Sequence, residues 1–256
     1  MPLAVLAAQS VLWGGVICFY GADLDQDKAK DTAKDLVTAA VGGGARGSVG
    51  SDISAANIFD SMKTAAGSCY NAATGRFDCA GGVLLIYISS HGDATEDGKD
   101  TVIGNLTKEG NTTLSELTGA IAGAIPECCT VIFAIDACFT EAWYNNSIAA
   151  VDGEVNPNNP FGALNWMVAT PSGSGRCFGT PVGSALNKAF GTERTVEGLA
   201  NFLGEQDGVR TSWSSDEEHN RPFMLSPEPA SVWLGLIGLA VILVLRSRFL
   251  TLKSHR

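Results

Sequence analysis

The sequence predicts an α/β domain, with a mostly parallel sheet carrying helices on both faces, followed by a C-terminal transmembrane helix. Three observations predict it. Apolar runs rich in β-branched and aromatic residues alternate with stretches whose apolar residues recur at helical spacing. The runs are apolar throughout rather than at every second residue, as expected of strands covered on both faces. The chain closes on an uncharged apolar segment and then a basic cluster. No internal repeat is found.

The elements follow in order. Residues 1–10, MPLAVLAAQS, are apolar, but no Lys or Arg precedes Lys28. The positive start of a signal peptide is missing, so either the true start lies upstream or these residues are the remnant of a signal sequence. VLWGGVICFYG (Val11–Gly21) reads as the first buried strand. Asp27–Val41 places Ala29, Ala33, Leu36, Val37 and Ala40 at helical spacing and stops at GGG. A second helix is expected through SDISAANIFDSMKTAAG, residues 51–67. Cys69 and Cys79 flank a short polar loop, a spacing suited to a local disulfide in an oxidising compartment. Val83–Ser89 is the next strand. An acidic loop and a hairpin-like piece, TVIGNLTKEGNTT, come after it. Thr113 and Glu116 form a capping box that opens a helix running to Pro126. CCTVIFAIDACF is another continuous apolar strand. Residues 145–162, rich in Asn, Gly and Pro, read as a long surface loop. ALNWMVATPSGSG is a further strand and turn, GSALNKAFG and TVEGLANFLGEQ are helical, and RPFMLSPEP reads as a final short strand.

The 256 residues suit one domain, residues 11–225, with tails. Hydrophobic residues at 45% supply a sizeable core. Net charge is −10, and Arg246, Arg248, Lys253 and Arg256 all lie in the tail; without them 13 Lys+Arg face 27 Asp+Glu, a balance of −14. Such a body repels nucleic acid and anionic membrane surfaces, and basic peptides suit it better as partners. The same acidity also serves solubility alone. Seven cysteines without a CxxC spacing and only three histidines give no metal site, and no cofactor is expected. Cys128 and Cys129 read as disulfide or core residues. His219 and His255 lack a strand-end context. Asn105, Asn111 and Asn145 begin glycosylation sequons of a kind common by chance.

The tail, residues 226–256, has its own organisation. Ser231–Leu245 is an uncharged run of fifteen residues beginning near Trp233. It is short for a span of about 20 residues. It crosses with help from its apolar neighbours and from arginines that reach to the headgroups, and the basic flank faces the cytoplasm. The order Pro227-Glu228-Pro229, apolar run, basic end resembles the PEP-CTERM sorting signal of Gram-negative, exopolysaccharide-producing bacteria. The resemblance implies export, a transient inner-membrane anchor, cleavage by an exosortase-type enzyme, and release to the cell surface or extracellular matrix. The alternative is an ordinary C-terminal anchor.

The chemistry centres on two strand ends. In an open parallel sheet, functional groups gather at the carboxyl ends of the strands. LLIYISSHGDA ends one strand on His91-Gly92, and VIFAIDAC ends another on Cys138. If these strands are neighbours, the imidazole can convert the thiol to a thiolate. The N–H groups of Gly92 and Cys138 can form an oxyanion hole. A surface or satisfied histidine is the plain alternative.

Strand, Ser-His-Gly, helix, strand, Asp-Ala-Cys resembles the caspase-like cysteine peptidases: caspases, metacaspases and bacterial relatives. The resemblance covers about Val11 to Leu225 and is specific at YISSHGD and FAIDACF. It implies a catalytic dyad of His91 and Cys138 and a peptide or protein substrate. Asp136, two places before the cysteine, matches an acidic S1 carboxylate, which implies cleavage after Arg or Lys. Its alternative is a structural role bonding loop amides. Asp23 is a candidate second S1 carboxylate, or simply opens a helix with Asp25 and Asp27. Ala169 and Thr170 fall where relatives line S1. The acidic loop Asp93–Asp100 matches the place where some metacaspases hold calcium, but it lacks an EF-hand pattern and reads better as a solvated loop. After the cysteine, many relatives have Phe/His-Ser-Gly; here Thr140 and Glu141 stand in place of Ser and Gly. The expectation is a secreted or surface-sorted cysteine endopeptidase. The alternatives are a caspase-like surface-binding or matrix protein with a dead site, whose Cys138 would be unreactive or disulfide-bonded, with Cys177 as the candidate partner, and a hydrolase or transferase acting on another substrate.

Overall fold

A computed structural model describes residues 13–20, 31–38, 47–50, 58–67, 70–77, 82–104, 112–173, 175, 179–189, 193–215 and 223–224. Residues 1–10, Asp23, Cys69, Cys79, Cys177, His219 and the whole tail from 225 lie outside them. The expectations for a signal remnant, a Cys69–Cys79 disulfide and a transmembrane helix therefore fall outside the described residues. Among those residues no helix is long and apolar enough to cross a membrane.

In chain order the strands are β1 (Trp13–Tyr20), β2 (Gly47–Gly50), β3 (Tyr70–Asn71), β4 (Arg76–Phe77), β5 (Val83–Ser89), β6 (Gly92–Ala94), β7 (Thr101–Ile103), β8 (Thr112–Thr113), β9 (Thr130–Asp136), β10 (Asn165–Pro171), β11 (Glu193–Arg194), β12 (Val209–Ser214) and β13 (Phe223–Met224). The helices are α1 (31–38), α2 (Ile58–Ala66), α3 (Leu114–Ala124), the short α4 (Glu141–Trp143), α5 (Pro181–Ala189) and α6 (Val196–Gly204). A π turn, Tyr144–Ile148, continues α4.

The main sheet has the order β12-β10-β9-β5-β1-β2. Five strands run parallel and β12 closes one edge antiparallel to β10. The expected class, α/β with a mostly parallel sheet, is the one observed. Every residue of β5 and β9 is buried, because alternate side chains feed cores on opposite faces. Leu84, Ile86, Ile88, Val131, Phe133 and Ile135 pack with α2 and α3. Leu85, Tyr87, Ile132 and Ala134 pack with α1, α5 and α6. The helices thus cover both faces, which is why these strands read as unbroken apolar runs.

The capping box is present in full. Glu116 N–H donates to the Thr113 hydroxyl at 3.2 Å, and the Glu116 carboxylate accepts from the Thr113 N–H at 3.2 Å. Such a cap is worth about 1 kcal/mol. The expected final short strand is present as Phe223–Met224, which pairs with β11 in a separate two-stranded sheet, while the main sheet is closed by VRTSWS, a strand not expected from the sequence. β12 is an edge strand with mostly half-buried residues, so it carries little of the apolar signal by which buried strands are read. The first turn of the expected loop 145–162 is helical, and Asn156 then ties the loop down by donating to the carbonyls of Asn146 and Ala149, both at 3.1 Å.

Candidate functional site

β5 and β9 are neighbours and parallel, with Ser89 opposite Asp136. The Ser90 N–H donates to the Asp136 carbonyl at 3.0 Å, extending the pairing past both strand ends. This puts His91-Gly92 and Cys138 at one edge of the sheet. His91 and Cys138 are both half-buried.

The approach between the two segments is closest at Gly92. A β-carbon there would overlap the Cys138 carbonyl oxygen and lie 3.0 Å from its nitrogen and 3.1 Å from its carbonyl carbon. Gly92 does not have a positive φ. Glycine is needed here for space, not for conformation. Gly92 also begins β6, opposite Ile103 of β7. The Gly104 N–H donates to the His91 carbonyl at 3.4 Å, so Gly92 and Ile103 form a non-hydrogen-bonded pair and the Gly92 N–H points away from β7. That leaves this amide outside the hairpin ladder, as an oxyanion donor requires.

Cys138 is not in a disulfide, while Cys129 is disulfide-bonded and Cys128 is an exposed thiol. Immediately after Cys138, Phe139 has φ 58°. A bulky residue in the left-handed region is strained by about 1–3 kcal/mol and persists only where its surroundings hold it. Here the Phe139 N–H donates to the Gly175 carbonyl at 3.1 Å, and the Phe139 carbonyl accepts from the Thr101 hydroxyl at 2.7 Å. The sequence gives no cue to this turn, since phenylalanine is an unusual residue for it.

The departure at Thr140-Glu141 is absorbed as follows. Thr140 is buried. Glu141 reaches Arg210 of β12 at 3.5 Å, and the Arg210 guanidinium lies 5.0 Å from the centre of the Tyr144 ring. Tyr144 donates to the Thr211 carbonyl at 2.7 Å. Burial raises the Tyr144 hydroxyl above its ordinary pKa, against the smaller opposing effects of Ser212 and the Arg210 charge.

Asp136 is 2% exposed. Its carboxylate accepts from Tyr87 Oη at 2.8 Å and from the N–H groups of Val182 and Gly183 at 3.0 and 2.8 Å. It therefore anchors the first turn of α5, where amides without a partner inside the helix and the helix dipole favour a negative charge. Gly183 permits the approach, since a β-carbon there would lie 2.5 Å from both Thr32 Cγ2 and Tyr87 Oη. Bonding of amides was the structural alternative for Asp136, and the structure gives it that work. An S1 ion pair needs an oxygen with an open face, and three donors already engage these two. Asp23, the other S1 candidate, lies outside the described residues. Ala169 and Thr170 are buried within β10.

The acidic loop is a closed turn. Thr95 donates its hydroxyl to Asp97 at 2.7 Å, and the Lys99 N–H donates to the same carboxylate at 3.1 Å. The Thr95 bond and then the Lys99 amide hold the Asp97 carboxyl below its ordinary pKa. Among the described residues no cluster of His, Cys, Asp or Glu has the arrangement of a metal site.

No family model matches the chain, and no curated protein matches it. Among solved structures it is similar to the crystal structure of protein GSU0716 from Geobacter sulfurreducens, at 13% identity and TM-score 0.48, over 84% of this chain and 100% of that one. A likeness at that level carries no argument about function.

Proposed function

We propose that the protein is a caspase-like cysteine endopeptidase with His91 as general base and Cys138 as nucleophile. One observation carries the reading: Gly92 is packed against the Cys138 backbone at the carboxyl ends of two adjacent parallel strands, next to the histidine. His91 takes the thiol proton. The thiolate attacks the scissile carbonyl carbon, and the N–H groups of Gly92 and Cys138 stabilise the oxyanion. The C–N bond breaks as His91 returns the proton to the leaving amine. Water, deprotonated by His91, then hydrolyses the thioester and frees the thiol. The protein's own groups supply every step, and none calls for a cofactor.

Cleavage after Arg or Lys belongs to the proposal through the resemblance and the acidity of the body. Export, sorting by an exosortase-type enzyme and passage through a membrane-anchored state rest on the tail sequence. The disulfide at Cys129 supports an oxidising destination. A second reading, a surface-binding protein with a dead site, is favoured by Thr140-Glu141 and by the engaged carboxylate of Asp136.

The test compares wild type with Cys138→Ala and His91→Ala on reporter peptides carrying Arg, Lys, Asp or Asn at P1, with an ester substrate alongside. Cleavage after Arg or Lys that both substitutions abolish supports the full reading. Cleavage confined to Asp or Asn keeps the dyad and removes the basic preference. Hydrolysis of the ester alone assigns another substrate class. Absence of turnover, with Cys138 inert to alkylation, leaves the binding protein.

A further inference from the structure

We infer that Thr101 is a positioning residue for the Cys138 nucleophile, an inference that rests on the peptidase reading above. Thr101 lies on β7 opposite Ala94 of β6, and it is wholly buried. Its hydroxyl proton is committed to the Phe139 carbonyl at 2.7 Å. Phe139 is the left-handed residue of the turn that sets the direction in which the chain leaves Cys138. A residue in that conformation relaxes to an ordinary one unless its peptide groups are held. Those groups are held from two sides, by the Gly175 carbonyl and by Thr101.

The Thr101 bond has a further property. It comes from the same hairpin that carries Gly92. One small antiparallel piece thus presents a bare α-carbon to the Cys138 carbonyl and a hydroxyl to the Phe139 carbonyl, so the oxyanion amide and the nucleophile's turn are fixed against each other. Preorganisation of this kind is needed where a displacement of about 1 Å lowers rate by about 10²-fold. Serine keeps the hydroxyl proton. Valine keeps the shape of threonine and loses the proton.

The experiment uses the full chain with Cys128→Ser, which removes an exposed competing thiol. The rate of Cys138 alkylation by iodoacetamide is followed by peptide mass spectrometry from pH 5 to 9, with Cys138→Ala as the blank. T101V is expected to lose at least about tenfold of the rate at pH 6, while T101S stays within about twofold of the parent. A T101V protein that is folded and alkylates at the parental rate at every pH overturns the inference, whatever its thermal midpoint. T101A, which removes the donor without adding bulk, replaces T101V if that variant fails to fold. Failure of the underlying reading is recognised separately. If His91→Ala leaves the pH profile unchanged, there is no dyad. The positioning claim is then decided at pH 9, where the thiolate forms without a base: a difference there between T101V and T101S retains it, and equal rates end it.

Discussion

Alanine at position 92 adds a single carbon, and the atoms it meets all belong to the Cys138 backbone. The added carbon overlaps the Cys138 carbonyl oxygen and comes within 3.0 Å of the nitrogen. Ordinary contacts between such atoms are near 3.5 Å. No side chain can swing aside to make room, so the two strand ends themselves must part by about 1 Å. Forced overpacking of this kind costs about 1–3 kcal/mol, and a rigid backbone obstacle places Gly92→Ala toward the upper end. The catalytic loss is predicted to be larger than the stability loss suggests. If the proposed roles hold, a displacement of about 1 Å between His91, the Gly92 amide and Cys138 lowers the rate by about 10²-fold. Gly119 provides the control. It lies exposed within α3, with nothing within 4 Å of an added β-carbon. Gly119→Ala should stabilise by roughly 0.5–1 kcal/mol, because alanine is the better helix residue. Urea unfolding midpoints and Cys138 alkylation rates measure both effects. A Gly92→Ala protein with the parental midpoint and the parental alkylation rate would refute the close approach, and with it the argument that glycine follows the histidine for want of space.

Two other predictions concern neighbouring groups. Asp136→Asn leaves one acceptor atom where three donors converge and turns an amide N–H toward them, so it should destabilise by about 3 kcal/mol in chemical denaturation; near-parental stability with loss of selectivity for Arg or Lys at P1 would instead restore Asp136 to the pocket. Tyr144→Phe removes a buried hydroxyl whose pKa is raised in the folded protein by burial. The folded state therefore retains this proton after the unfolded chain has lost it, and the stability tied to it is present below the ordinary tyrosine value of about 10 and is lost as pH rises through the folded value. Tyr144→Phe should cost about 1 kcal/mol at neutral pH through the lost bond to Thr211. Its difference from the parent should shrink above about pH 10, as urea titrations at a series of pH values would show.

The parts of this molecule that the sequence makes legible are those where one physical demand dominates. β5 and β9 are covered on both faces, so their residues are apolar except at the strand ends and the strands declare themselves. Thr113 and Glu116 fill the capping box because the helix start has amides to satisfy nearby. β12 answers to two environments at once and reads as polar, so it passes unnoticed beside the more apolar Phe223-Met224. The same division runs through the site. His91, Gly92 and Cys138 are visible because residue type and strand end coincide. Thr101 is invisible, since its partner is a backbone carbonyl 38 residues away. Asp136 is visible but ambiguous, because a carboxylate two residues before a cysteine suits a pocket floor and a helix anchor equally well. What separates those roles is the placement of the α5 amides, a long-range property that no local pattern contains. The anchor also bears on the chemistry. By tying the end of β9 to the first turn of α5, with Tyr87 of β5 as the third donor, Asp136 fixes the strand that carries Cys138 to the strand that carries His91. Its loss should therefore disturb the geometry of the proposed dyad as well as the stability of the fold.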